Sequence, residues 1–297
     1  MMGTAATRVL RIAGLGAAFG LLTGYGPWRP GGAGTAGLGA GDAAVASGAG
    51  AAGLYANPAT IAQVRQYTVE AGFVRDPGAG TTSLALAGVD ATSAWGLAGG
   101  VGYTKLVDWA DAAPRRSGKD WRGALALGLD SEAGRLMFGI AARQMDLDVA
   151  GPPKRRVEGW TGDLGAAVAL GGLRFGVVWR NGLALDALEA PERIATGAGY
   201  VDDRFLIEAD GSWGLGAGSG PIYRVGGAVQ FGHEGPGIRA GYIWDEFDAR
   251  RGRQQHVTAG VGWRTVKVGV DAGVDWNQAT GDVAVGVGLM FQMPTEM

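Results

Sequence analysis

The feature that most constrains this chain is an alternation that survives for two consecutive stretches, Thr265 to Phe291. Val266, Val268, Val270, Ala272, Val274 and Trp276 are apolar, and Lys267, Gly269, Asp271, Gly273 and Asp275 stand between them. A polar tip, Asn277-Gln278-Ala279-Thr280-Gly281, follows. Val283, Val285, Val287, Leu289 and Phe291 then repeat the pattern, with Asp282, Ala284, Gly286, Gly288 and Met290 in the gaps. Side chains alternate faces along a strand, so each half of this hairpin has one apolar face and one small or charged face. Soluble sandwiches also alternate, but their wet face is rich in Thr, Ser, Lys and Glu. A second face of glycine, alanine and isolated charges reads as the inside of a wall whose outside meets lipid.

The same pattern recurs from Gln66 onward, with about fourteen candidate strands and no convincing helix between them. Glycine supports this: 57 of 297 residues are Gly, without a Gly-X-Y period. Each interior glycine costs a helix about 1 kcal/mol relative to alanine. Trp95, Leu97, Val101 and Tyr103 share a face of a strand expected over 93–107, and Leu173, Phe175, Val177 and Trp179 share one over 172–182. Charged side chains at bilayer depth are costly if they face lipid. Arg174, Arg180, Glu208, Asp210, Arg224, Arg239, Asp245, Arg264, Lys267, Asp271 and Asp275 are therefore expected to line a lumen, with opposite signs paired across strands.

Connection lengths alternate as well. With both termini on the periplasmic side, the inward links are short, such as Asp90-Ala91-Thr92, Leu170 to Gly172 and Arg264-Thr265. Several outward links are long and polar: Asp108 to Gly118, Asp148 to Glu158 and Glu246 to Arg253. Outer-membrane barrels have this asymmetry. The predicted fold is an all-β, transmembrane, antiparallel up-and-down barrel of residues 65–297.

The N-terminus reads differently. Arg8 and Arg11 precede an apolar run, Ile12 to Leu22, which fits a secretory signal peptide within residues 1–30. An amphipathic or buried N-terminal helix is the alternative. Residues 31–64 are rich in Gly and Ala and include Asn57-Pro58-Ala59, a turn starter. Small residues suit a segment threaded through a tight interior, so this stretch is expected to be a hatch or plug, with Asn57, Pro58 and Ala59 as its hinge or anchor. The glycine spacing near Gly37 does not make a dinucleotide site, because no strand precedes it and no βαβ unit follows.

Composition removes several function classes. A formal charge of −2 leaves no footprint for nucleic acid. Without cysteine there is no disulfide, thiolate metal site, cysteine nucleophile or lipoprotein anchor. Asp245, Glu246 and Asp248 lack the spacing of a calcium loop, and no Gly-x-Ser-x-Gly setting is present. His233 and His256 are isolated in sequence and read as solvated residues. Neither a catalytic set, a metal site nor a cofactor site can be assembled.

Several short segments resemble the FadL and PorV/PorQ outer-membrane barrels. They are Gly41-Asp42-Ala43 followed by Tyr55-Ala56-Asn57-Pro58-Ala59; Asp163-Leu164-Gly165 with Phe175 to Asn181; Pro191-Glu192-Arg193-Ile194; and Ile238 to Tyr242. Their order and spacing look more like the PorV/PorQ branch. The resemblance implies a fourteen-stranded barrel with an N-terminal hatch. In FadL-like transporters, fatty acids and other hydrophobic molecules pass through, whereas PorV-like members serve protein secretion as partners. This chain departs in its small surface loops and in its last strand, which ends Phe291-Gln292-Met293-Pro294 without a terminal aromatic.

The expected function is thus a passive channel in the bacterial outer membrane, embedded in outer-membrane lipid, for a fatty-acid-like hydrophobic ligand. The alternative is a non-transporting barrel that docks a secretion or surface-assembly partner. A continuous apolar path through the lumen favours the first, and a lumen packed shut by charges favours the second. A third reading is a periplasmic or secreted β-protein.

Overall fold

The computed structural model describes Ala40 and residues 42–76, 81–108, 116–149, 155–183, 190–215, 220–232, 234–248 and 252–294. The signal-peptide expectation and the tips of several hairpins lie outside the described residues. Fourteen strands form one closed barrel in which each strand pairs antiparallel with its sequence neighbours. The first seven are β1 (Gln66–Asp76), β2 (Thr81–Asp90), β3 (Leu97–Asp108), β4 (Arg116–Asp130), β5 (Arg135–Val149), β6 (Arg155–Leu170) and β7 (Leu173–Arg180). The remainder are β8 (Arg193–Val201), β9 (Phe205–Gly214), β10 (Ile222–Gln230), β11 (Gly235–Asp248), β12 (Gly252–Arg264), β13 (Val268–Asn277) and β14 (Val283–Pro294). β1 closes on β14 from Gln66↔Pro294 to Arg75↔Val285. Closure leaves no unpaired sheet edge, which is the condition for β-structure to cross lipid.

The alternation sets the two faces. Val101, Leu125, Ile140, Leu164, Ile207, Val225, Val261 and Val287 point outward and are exposed. Aromatic side chains flank this apolar band. At the end remote from the termini, Tyr103 lies on Trp121 with ring centroids 4.4 Å apart, and Trp213 meets Tyr223 at 6.3 Å. At the terminal end, Tyr200 stacks on Phe205 at 5.4 Å. An apolar band between aromatic belts matches a bilayer and its two interfaces.

Strand ends differ from the sequence reading where polarity rises. β4 starts at Arg116, β5 runs to Val149, β6 starts at Arg155, and β11 and β12 extend to Asp248 and from Gly252. The expected long loops are partly ladder. Beyond the remote aromatic belt the outer face can be charged, and cross-strand ion pairs continue it. Asp146 lies 3.6 Å from Lys119 and 3.0 Å from Arg156, which also reaches Glu158 at 3.2 Å. Trp95 falls in a turn before β3 rather than within a strand, because Gly96, with φ 74, bends the chain there.

Candidate functional site: the plug and the lumen around it

Residues 42–62 occupy the barrel interior. A short helix, α1 (Ala51–Ala56), leads into a 3₁₀ turn over Pro58–Ala62, and every residue of both is buried. Asn57 joins the two. Its backbone N–H bonds Gly53 O at 3.0 Å and closes α1. Its Oδ1 accepts from Ala59 N at 3.1 Å and so caps the 3₁₀ turn. Pro58 occupies the first position, where a missing N–H costs nothing. The same amide donates to Val45 O (2.9 Å), Ala166 O (3.2 Å) and Val177 O (3.4 Å), linking the plug to β6 and β7.

Wall glycines make this approach possible. A Cβ on Gly139 of β5 would run into the backbone of Pro58 and Ala59. One on Gly165 of β6 would collide with Asn57 Oδ1, and one on Gly176 of β7 with Val45 O. On the plug side, alanine and glycine keep the gap equally narrow. Leu54, Tyr55 and Ile61 supply the bulk, packed against Val89, Ala98, Ala124, Ala126 and Met137.

A charged layer covers the plug on its remote side. Arg122 stands 5.0 Å over the Tyr55 ring. It also pairs with Asp120 (3.7 Å) and Asp163 (3.9 Å), and Asp120 Oδ2 accepts from Arg143 Nε at 2.6 Å. Burial pushes the Tyr55 phenol up to about 12. Arg180 donates through Nε and Nη2 to Ala56 O, the carbonyl at the end of α1. Beyond this layer Leu106, Met145, Leu147, Val149, Val157 and Ala190 form a separate buried apolar cluster.

The sequence-derived residues fall as follows. Asn57, Pro58 and Ala59 are buried in the plug, and Asn57 is its most extensively bonded side chain. Arg180, Glu208 and Asp210 point inward and touch the plug backbone. Arg224 is inward and directly opposite Asp210 in the β9–β10 register. Arg239 pairs with Asp271, and Arg264 donates to Gln292 Oε1 at 2.7 Å. Arg174 folds back on the β6–β7 turn, donating to the carbonyls of Gly171 and Leu173.

Lys267 departs from the expectation. It is exposed, in the turn between β12 and β13, not on the lumen wall. Arg264 and Thr265 cannot alone reverse the chain, so Thr265 N bonds Val268 O at 2.8 Å and the next strand begins at Val268. His256 is likewise not a solvated residue: it lies on β12 with Nδ1 2.8 Å from Asp275 Oδ1. His233 lies outside the described residues. The sequence reading overlooked Asp120, Arg122, Arg143, Asp163 and Arg193, although all share the inward parity of their strands.

Three of the short segments that carry the family resemblance meet in space. Asp163 Oδ1 accepts from Asn181 N (2.8 Å), whose left-handed φ of 54 ends β7. Asn181 Nδ2 donates to Pro191 O (3.1 Å), and Trp179 Nε1 to Glu192 Oε1 (2.7 Å).

Solved structures share this architecture. The CymD monoaromatic hydrocarbon channel superposes with a TM-score of 0.65 at 13% identity, covering 93% of this chain and 99% of that one. The Ralstonia pickettii toluene transporter TbuX gives 0.61 at 13% identity, covering 93% and 100%. A TodX deltaS2S3 mutant monoaromatic hydrocarbon channel gives 0.56 at 11% identity, covering 91% and 98%. The fold is that of the monoaromatic hydrocarbon channels. No family model matches the chain, and no curated protein matches it.

Proposed function

We propose that this protein is a passive outer-membrane channel for hydrophobic small molecules, with the plug as its gate. The observation that carries the reading is the shared fold with three hydrocarbon channels or transporters over more than nine-tenths of the chain. The lipid-facing apolar band supports an outer-membrane location, and a secretory leader within residues 1–30 belongs to the same proposal. The FadL-like resemblance widens the ligand class from monoaromatic hydrocarbons to fatty-acid-like molecules. A channel needs no catalytic set, metal or cofactor, so the enzyme reading gains nothing here.

The apolar path is interrupted. The cluster around Met145 and Leu147 is separated from the apolar packing around Leu54 by the Asp120, Arg122, Arg143 and Asp163 layer. In the transport reading this is a shut gate, and passage requires both the plug and its charged cover to shift. The same layer is the one observation that favours the second reading, a non-transporting barrel docking a secretion partner. The finer placement beside the PorV/PorQ branch belongs with that reading and rests on motif spacing.

Initial uptake rates separate the two. Cells carrying the protein in their outer membrane should take up a radiolabelled monoaromatic hydrocarbon or long-chain fatty acid faster than cells lacking it. Equal rates, with a protein partner co-purifying in detergent, would replace transport by docking.

A further inference from the structure

The plug is held at a second place by side chains that the gate reading alone does not use. Ala44 N and Val45 N donate to Asp210 Oδ2 at 2.8 and 3.1 Å. Ala46 N donates to Glu208 Oε1 at 2.7 Å, and Ser47 N to Glu208 Oε2 at 3.1 Å. The Ser47 hydroxyl bonds the same Oε2. Four successive backbone amides are thus satisfied by two carboxylates from one strand, spaced i, i+2 on the inward face of β9. Glu208 and Asp210 are both buried.

Besides the plug amides they hydrogen-bond each other, and Asp210 has the charge of Arg224 nearby. β8 offers Gly197 and Gly199 at the register positions beside them. β10 offers Gly226 beside Glu208 and Arg224 beside Asp210. Arg193, the next cation along the wall, is committed to Ser212 Oγ and to the carbonyls of Ser212 and Gly220. Within the plug, Asp42 is the nearest carboxylate in sequence. Segment 44–47 has one further bond to another part of the chain among those described above, from the neutral amide of Asn57 to Val45 O. Five bonds to two side chains of one strand outnumber that single amide contact, so Glu208 and Asp210 dominate this attachment.

We infer that Glu208 and Asp210 are the latch of the gate: the plug opens by releasing residues 44–47 from these carboxylates while staying anchored at Asn57. The inference rests on the reading of the plug as a gate. Glu208 and Asp210 act here as positioning residues for that segment. Glu208→Gln keeps size and burial but leaves one acceptor oxygen for two amides that now use both, whereas Asp210→Asn keeps an oxygen that its two amides can still share and weakens it as an acceptor.

Absence of cysteine makes a direct test available. Val45→Cys reports on the latched segment and Thr60→Cys on the anchor; both positions are buried. Each is built into the otherwise natural chain and into Glu208→Gln/Asp210→Asn, and the detergent-purified barrels are labelled with a membrane-impermeant maleimide. The latch predicts labelling of Val45→Cys faster by about tenfold or more in the amide variant, with Thr60→Cys unchanged, because local opening exposes only that segment. Unchanged labelling at Val45→Cys overturns the latch. A parallel rise at both positions also overturns it, because the plug then leaves as one body.

If the double variant does not give the heat-modifiable migration of a folded barrel, Glu208→Asp serves instead. Its shorter side chain cannot reach both Ala46 N and Ser47 N, and a smaller rise confined to Val45→Cys is expected. Labelling is independent of transport. A latch-open variant with unimpaired barrel and no change in hydrocarbon uptake would overturn the gate reading and leave the latch standing.

Discussion

The plug is held on different terms around Asn57 and along residues 44–47. Around Asn57 the contact with β5 and β6 is direct, admitted by Gly139 and Gly165 and tied by the neutral amide of Asn57. At residues 44–47 the plug also lies close to Gly176 and Gly197, but its amides are held by the β9 carboxyl groups. Close packing tolerates no rearrangement short of separation, since interiors have little free volume to adjust into. An attachment made through side-chain hydrogen bonds can be loosened without moving the wall. The Asn57 end of the plug is therefore built as a seat, and residues 44–47 as a hold that depends on two side chains.

The largest test of this contrast is steric. Gly165→Ala would place a methyl group into Asn57 Oδ1. Overpacking of this kind costs about 1–3 kcal/mol, and the upper end is expected because the obstacle is a side chain pinned at four points. The measurement is denaturant unfolding of the barrel, with Thr60→Cys labelling as a readout of lost seating. A wild-type unfolding curve together with unchanged labelling would dissolve the distinction between seat and hold.

Asn57→Ala should come next, with a loss of about 2 kcal/mol, because Val45 O and Ala59 N lose a buried partner. Labelling at both Val45→Cys and Thr60→Cys should then increase, in contrast to the carboxylate variant. If only the first increased, Asn57 would belong to the latch rather than to the seat. The smallest effect is assigned to Gly72→Ala on the inner face of β1, where a Cβ meets nothing within 4 Å. A change within about 0.5 kcal/mol is expected. A large loss there would mean that inner-wall glycines matter for the sheet itself and not for the plug.

Much of the wall was legible in the chain. Alternation is local, so Val283 to Phe291 or Leu173 to Trp179 revealed their outward faces without any knowledge of partners. Parity also assigned Arg180, Glu208, Asp210 and Arg239 to the inside, and would have added Asp120, Arg122 and Arg143 had it been applied along every strand. Strand ends were less legible. Past the aromatic belt the outer face changes from apolar to charged, yet the backbone keeps its pairing, so Arg116 and Arg155 begin strands that hydropathy alone starts later. Lys267 failed for the converse reason: its pattern continued through a turn that the chain geometrically needed.

Sequence alone determined that this chain builds a two-faced, closed wall with a small-residue segment before it, because a period of two and a run of Gly and Ala are properties of neighbours. It also marked Asn57-Pro58-Ala59 as a special point. Only the tertiary structure decided what the inward charges do. Glu208 and Asp210 bind residues more than 160 positions earlier in the chain, Arg122 covers Tyr55, and Gly165 is a gap shaped for Asn57. Each of these is a meeting across the lumen, set by barrel closure and by register, and neither is encoded in any local window of residues.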